Sequence, residues 1–162
     1  MSYKLFVGFA CCLVASTVYP QTTDNRTIIG AGNEFLSAGS FAIRMGQYDE
    51  GIRLTHLGLT RYQPSQDDRA SALSNLCAAH AAKVEPDIAI PYCDESIDMN
   101  DQDWRAFVNR SYAYFLKGML TKAEESLVIA ADINPSAKQV LEIRAMINEM
   151  GLRPRVIMED HL

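Results

Sequence analysis

Apolar residues recur every three or four positions from about residue 32 onwards, and short polar runs interrupt them at regular intervals. This spacing is typical of helices that bury one face. The clearest interruptions are QPSQDD at residues 63–68 and DMNDQD at residues 98–103. Ser136 and Gln139 have the spacing of a capping box, which predicts a last helix that ends near Gly151. The pattern therefore predicts an all-α chain.

The helical pattern repeats along the chain. GQYDEGI, VEPDIAI and GMLTKAE, at residues 46–52, 84–90 and 118–124, align with spacings of 38 and 34 residues. The alignment extends upstream to large residues and downstream to small ones: Phe35, Leu73 and Phe107, then Gly58, Ser96 and Ala130. Each unit is predicted to be two helices joined at a tight turn. We expect the four additional residues of the first spacing to lengthen the loop around Pro64.

This pattern of large, small and aromatic residues, a G-x-Y-x-x-A turn and a terminal proline resembles the tetratricopeptide repeat (TPR), with GQYDEGI as its best local match. The resemblance covers about residues 32–137. It implies an all-α, helical-hairpin solenoid, a right-handed superhelix of three repeats closed by a C-terminal capping helix. The implied boundaries are residues 32–65, 70–103 and 104–137 for the repeats and residues 138–150 for the cap. It also implies a concave groove, lined by the first helix of each repeat, that binds peptide segments.

The N-terminal segment has the order of a secretory signal peptide. A basic residue, Lys4, precedes an apolar run from Leu5 to about Val14, and small residues follow. We expect residues 1–16 to be a signal peptide and residues 17–31 a linker; residues 151–162 are expected to be a flexible tail. Retention as a membrane anchor is the weaker alternative, because the apolar run is shorter than the roughly 20 residues that a span needs. The predicted location is the bacterial periplasm, with secretion as the alternative.

Export would leave Cys77 and Cys93 as the remaining cysteines, in an oxidising compartment. Both lie eight residues from Glu85, at the centre of a predicted hairpin turn, so they should face each other across two helices. We expect a disulfide there, worth on the order of 3 kcal/mol, and the alternative is two buried thiols. A zinc site that adds His80 lacks a fourth ligand unless Asp94 turns inward, so no metal site is predicted.

Charge and motifs narrow the function classes. The formal net charge is −5 at pH 7, which argues against nucleic-acid binding, because that binding depends on an excess of Lys and Arg. The sequence contains no G-x-S-x-G, H-E-x-x-H or phosphate-loop motif. We therefore predict neither enzymatic activity nor a cofactor.

The first helix of each repeat carries a polar stripe away from the core face, and this stripe is the candidate binding site. Asn amides can bond a peptide backbone in both directions, arginines can hold carboxylates and a tyrosine can stack on a side chain. The predicted groove residues are Arg44, Asn75, Arg105, Asn109 and Tyr112.

TPR proteins that clamp a C-terminal carboxylate carry Lys and Asn on the first unit, and Lys and Arg on the third. This chain has Leu36 and Ser40 in the first pair of positions, and Arg105 and Asn109 in the second. The clamp pattern is therefore absent, and binding of a chaperone tail is not predicted.

Taken together, these features predict an exported, non-enzymatic module that binds a peptide or protein partner through its concave groove. One alternative is a structural subunit of an envelope or secretion assembly that uses its convex face or edges. A second alternative is a metal-binding or accessory enzyme protein built on Cys77, His80 and Cys93. Self-association is a further expectation, because three repeats are near the lower limit for a stable stack.

Overall fold

The computed structural model describes residues 33–152, and all regular structure in that range is α-helical. Its helices are α1 (Glu34–Arg44), α2 (Tyr48–Arg61), α3 (Gln66–Ala82), α4 (Pro86–Met99), α5 (Trp104–Leu116), α6 (Leu120–Ile133) and α7 (Lys138–Leu152). The predicted signal peptide and linker lie outside the described residues, as do residues 153–162 of the predicted tail. Between residues 33 and 152, no helix has the length and apolar character needed to cross a membrane.

The helices pair into three hairpins, which we call the first (α1 and α2), second (α3 and α4) and third (α5 and α6) hairpin. The first helix of each hairpin begins at a side-chain cap. The Asn33 Oδ1, Ser65 Oγ and Asp103 Oδ1 atoms each accept a hydrogen bond of 3.1 Å from a backbone N–H in the first turn. These caps satisfy donors that have no partner inside the helix, so each hairpin starts at a defined residue.

The turn inside each hairpin has the same backbone hydrogen bonds. At Gly46, Val84 and Gly118, φ is 76°, 60° and 71°, respectively. Each of these residues donates its N–H to the carbonyl three residues earlier, at 2.9 to 3.0 Å, and the next residue donates to the carbonyl five residues earlier, at 2.9 Å. This pair of bonds is a Schellman motif, which ends the first helix and reverses the chain. Val84 is unusual in it, because a β-branched residue is strained at positive φ.

The four additional residues of the first spacing do not lengthen a loop, so that prediction was wrong. They form an extra turn at the start of α3, which has 17 residues where α5 has 13. Ser65 caps this turn. The negative charges of Asp67 and Asp68 in the turn interact favourably with the positive end of the helix dipole. At the other end of the domain, α7 continues through Gly151 to Leu152, two residues beyond the predicted end at Met150.

The hairpins stack in chain order. Helix α3 contacts both α1 and α5, and α5 also contacts α7, so the first helices and α7 form a continuous inner row. The second helices pack within their own hairpin and against the first helix of the next, and between α2 and α4 the rings of His56 and Tyr92 lie 6.1 Å apart, centroid to centroid. Such an arrangement is concave along the inner row. It confirms the predicted all-α helical-hairpin solenoid with a C-terminal capping helix.

Each hairpin has a close contact between its two helices at the same pair of register positions. In the first hairpin, a Cβ added to Gly39 would lie 2.5 Å from Thr55 Oγ1. In the second hairpin, the equivalent residues are Cys77 and Cys93, with Cα atoms 5.3 Å apart. In the third hairpin, the equivalent residues are Ser111 and the fully buried Leu127, and Ser111 Oγ donates a 2.7 Å hydrogen bond to the Ala123 carbonyl.

Ion pairs at the hairpin tips connect successive repeats. Lys83 Nζ lies 2.7 Å from Asp49 Oδ1 of the preceding hairpin, and Lys117 is paired in the same way with Asp87. Both lysines immediately precede the residue with positive φ, so the contact repeats with the register. These pairs help to align the tips of the stack along one edge.

Candidate partner-binding groove

A pocket of about 200 Å³ opens on the inner row of helices. All four helices of that row contribute to its wall: Ser40, Ile43 and Arg44 from α1, Ser74, Asn75 and Ala78 from α3, Trp104, Arg105, Val108 and Asn109 from α5, and Gln139 from α7. The pocket crosses every repeat and the cap, because it lies where the inner row is concave. We call this surface the groove.

Four of the five predicted groove residues line this pocket together: Arg44, Asn75, Arg105 and Asn109. Tyr112 is not among the lining residues. Its ring stacks on Phe115, with centroids 6.3 Å apart, and packs against the cores of the second and third hairpins. Tyr112 is therefore a packing residue in this structure rather than part of the pocket wall.

The two asparagines of the groove differ in what their amides can do. Asn109 Nδ2 donates to the Ser74 carbonyl at 3.2 Å, which ties α5 to α3. Asn75 is half-buried, and its side-chain amide has no hydrogen-bond partner within residues 33–152. Asn75 can therefore offer both a donor and an acceptor to a bound segment, whereas Asn109 is already used to hold the wall together.

Two arginines give the groove its charge. The Arg105 guanidinium lies 4.6 Å from the centroid of the Trp104 ring, so the indole face supports it, and its Nη1 is 3.8 Å from Asp103 Oδ1. Arg44 Nη1 donates to Ser40 Oγ at 3.0 Å. None of the described residues that line the pocket is acidic, although the chain as a whole carries a net charge of −5. The groove is thus a locally positive surface on an acidic protein.

The sequence prediction missed several lining residues, including Trp104 and Gln139. A signal for Gln139 was present, because it lies 34 residues after Arg105 and therefore holds the same register position in α7. Extending the repeat register into the capping helix would have found it. Trp104 is the first residue of α5, where the hydrophobic period alone assigns it to the core.

The cysteine region has a different character from the groove. The structure places the Sγ atoms of Cys77 and Cys93 at bonding distance, 1.98 Å, in the fully buried crossing of the second hairpin. His80, the third member of the alternative zinc site, contacts other partners. Its Nδ1 lies 2.7 Å from Glu85 Oε2, and its ring stacks on Tyr92 with centroids 5.6 Å apart. In the described part of the chain, no group of three or more His, Cys, Asp or Glu residues could hold a metal ion.

Glu85 is the centre of a small charged cluster at the tip of the second hairpin. The hydrogen bond from His80 is the main reason that the pKa of Glu85 lies below its ordinary value, and Lys83 lowers that pKa further. Lys83 in turn has a raised pKa, because it donates to Asp49 and to Glu85. The cluster connects the two ends of the turn to each other and to Asp49 of the first hairpin. It therefore helps to hold the tip of the second hairpin in place.

Solved structures with the same fold include several TPR domains. The second TPR domain of human RPAP3, solved with an HSP70 peptide, has a TM-score of 0.60 at 19% identity, covering 70% of this chain and 92% of that chain. The Arabidopsis OM64 TPR domain has a TM-score of 0.63 at 14% identity, covering 72% and 93% of the two chains. The type III secretion translocator chaperone SycD of Yersinia enterocolitica has a TM-score of 0.60 at 19% identity, covering 73% and 89%.

These similarities establish a TPR-like fold over 70% to 73% of the chain at low sequence identity. No protein-family model matches the sequence, and neither does any curated protein sequence. Function must therefore be argued from the groove itself.

Proposed function

We propose that this chain is an exported, non-enzymatic module that binds an extended peptide segment of a partner protein in the groove. The observation that carries the proposal is the set of lining residues. Two arginines and the free amide of Asn75 meet in one pocket, with a tryptophan beside them and no acidic residue in the described wall. This combination suits a segment that carries carboxylates, which Arg44 and Arg105 would pair and whose backbone Asn75 would bond.

The structural neighbours support the peptide-binding part of this proposal. The second TPR domain of human RPAP3 was solved with the HSP70 peptide SGPTIEEVD, and the first TPR domain of Spaghetti with the HSP90 peptide SRMEEVD. Those peptides are acidic, as is the segment proposed here. The absence of the clamp pattern, with Leu36 and Ser40 on the first hairpin, argues against a chaperone tail as the natural partner.

Export to an oxidising compartment, the bacterial periplasm, is the second part of the proposal. It is supported by the signal-like order of residues 1–16 and by the geometry of Cys77 and Cys93. A disulfide at this crossing would persist in the periplasm, whereas reducing conditions in the cytosol would keep the thiols free. The crosslink would hold α3, which supplies Asn75 to the groove, against α4.

The groove is tested by affinity capture from a periplasmic extract, with wild type compared with Asn75→Ala and Arg105→Ala. Loss of one charged or bidentate contact should lower partner recovery by about tenfold or more, and added salt should weaken the binding. Arg53→Ala is the matched control, because Arg53 is exposed on α2 and pairs only with Glu50 in the described structure. Asn109→Ala is a poor test, since that change also removes the tie to Ser74.

A photo-crosslinking residue distinguishes the groove from the convex face. It would be placed at Ala78, which lines the groove, or at Val128, which is exposed on α6. Crosslinking of the captured partner from Ala78 alone would support the groove. Crosslinking from Val128 alone, with recovery unchanged by Asn75→Ala and Arg105→Ala, would replace it with the structural-subunit function.

A further inference from the structure

Within residues 33–152, no other helix covers one face of α1 at the N-terminal end of the stack. The repeat register identifies this face by a stripe that recurs on the first helix of every hairpin and ends at its C-cap residue, at spacings of four, three and four residues. On α3 the stripe is Ala72, Leu76, Ala79 and Lys83, on α5 it is Ala106, Arg110, Ala113 and Lys117, and on α1 it is Glu34, Ala38, Phe41 and Met45. We call the last set the α1 stripe.

In the second and third hairpins this stripe packs against the preceding hairpin. Ala72 is fully buried and clusters with Leu36 and Leu59 of the first hairpin. Ala113 is fully buried and clusters with Cys77 and Cys93 of the second hairpin. The lysine at the end of each stripe pairs with an aspartate of the preceding hairpin. This register position is therefore a helix-packing surface wherever a neighbour exists.

No described residue covers the α1 stripe in the same way. Phe41 is 57% exposed and Met45 is 62% exposed, and all four stripe residues are on the surface. The opposite end of the stack differs, because α7 covers the third hairpin and buries Val140, Ile143 and Ile147 against it. Among its exposed large apolar residues is Leu141, at 59%.

We propose that the α1 stripe is a self-association surface on which a second copy of this chain docks, antiparallel, to form a two-fold dimer. A two-fold axis between Ala38 and Phe41 places each Ala38 opposite the Phe41 of the other copy, so a large ring meets a small side chain twice. The same axis places each Glu34 opposite Met45 and next to Arg44 of the other copy. Size and charge are thus complementary when the stripe meets itself.

The stripe is short, so the dimer is weak. It spans one helix of 11 residues, about 16 Å at 1.5 Å per residue, which offers less than the roughly 1,600 Å² that a standard stable interface buries. Arg44 belongs to both the groove and the rim of this interface, and its guanidinium lies 5.9 Å from the centroid of the Phe41 ring. The inference does not depend on what the groove binds.

Sedimentation velocity of the protein purified from its native compartment tests the proposal at concentrations on the order of 10 to 100 µM. Wild type should pass from monomer to dimer over this range and stop there. Phe41→Glu should raise the dissociation constant about tenfold or more, because it brings charge to the centre of the contact. Leu141→Glu, at an equally exposed leucine at the other end of the stack, should leave the dissociation constant unchanged. Unchanged circular dichroism shows that each variant is folded.

A charge exchange identifies the two-fold geometry. Glu34→Arg alone should weaken the dimer, and Glu34→Arg combined with Arg44→Glu should restore it, because each exchanged residue meets its counterpart in the other copy. A monomer at every concentration overturns the proposal. Assembly into species larger than a dimer also overturns it if Leu141→Glu abolishes that assembly, because this result would indicate head-to-tail stacking of opposite ends. Failure of the double exchange to restore association overturns it as well.

Discussion

The first and second hairpins bring two helices together at the same register position by opposite means. In the first, Gly39 leaves room for Thr55, whose Oγ1 would lie only 2.5 Å from an added Cβ. In the second, Cys77 and Cys93 fill the crossing with two sulfur atoms at bonding distance. A glycine crossing stabilises the folded state through close packing, whereas a crosslink acts chiefly by restricting the unfolded chain. The same register position is thus occupied by a close glycine contact in one hairpin and by a pair of cysteines in the other.

The largest expected effect follows from removing the crosslink. Replacing both Cys77 and Cys93 with alanine should lower the free energy of unfolding by about 3 kcal/mol, because the bond spans a sequence separation of 16. Urea denaturation measures this loss. Reductant should lower the stability of wild type by a similar amount and should not affect the double variant. A wild type whose stability is unchanged by reductant would show that the second hairpin has no crosslink.

The next effect concerns the glycine crossing. Gly39→Ala should lower the free energy of unfolding by about 2 kcal/mol, since the new Cβ would meet Thr55 Oγ1 and, at 3.0 Å, the Gly51 carbonyl. Gly151→Ala is the matched control, because that helical glycine has no atom within 4 Å of an added Cβ. The control should gain up to about 1 kcal/mol from helix propensity. Equal effects at the two glycines would contradict the close-packing explanation.

The residues with positive φ in the hairpin turns provide a smaller effect, and its sign depends on whether glycine is introduced or removed. Val84→Gly should raise the free energy of unfolding by about 1 kcal/mol, because Val84 has φ of 60° where the other two turns have glycine. Gly118→Val should lower it by at least as much, since space around Gly118 is open and the penalty is purely conformational. Thermal denaturation of both variants measures the pair. A loss of stability in Val84→Gly would mean that the valine side chain contributes more than its strain removes.

The smallest effect depends on pH. It distinguishes the contribution of the charged tip of the second hairpin from that of the cysteine pair between its helices. The folded-state pKa of Glu85 is lowered mainly by the hydrogen bond from His80, so ionised Glu85 contributes stability at neutral pH. That contribution is lost as the pH falls through the lowered pKa, below the ordinary glutamate value of about 4.3. Glu85→Gln should therefore lower the melting temperature slightly at neutral pH and not in strong acid. A difference that persists in strong acid would show that the effect is not ionic.

Much of the fold followed from the sequence because each hairpin repeats the same local signals. The register about Glu85 predicted that Cys77 and Cys93 face each other, and the structure brings their sulfur atoms together. The extra turn of α3 was missed because QPSQDD is polar throughout, and polarity alone does not distinguish a loop from an exposed, capped first turn. Ser65 was the usable signal, since a serine cap followed by aspartates is typical of a helix start.

The groove was harder to predict than the fold. The position of a residue in the helical repeat predicts the side of the helix on which its side chain lies. It does not predict how closely side chains of the adjacent helices pack around it. Tyr112 has the right direction, and yet its ring packs against Phe115 instead of lining the pocket. Asn109 does line the pocket, but its amide is committed to Ser74. Those contacts depend on how closely adjacent hairpins stack, which is a tertiary property that one helix cannot encode.

The most direct test of the central claim is the intact mass of the protein isolated from its native compartment, after its free thiols have been alkylated without reduction. The claim is an exported solenoid whose middle hairpin is crosslinked. We expect a chain that lacks about residues 1–16 and carries no alkyl group at Cys77 or Cys93. A full-length chain, or one alkylated at both cysteines, would contradict it.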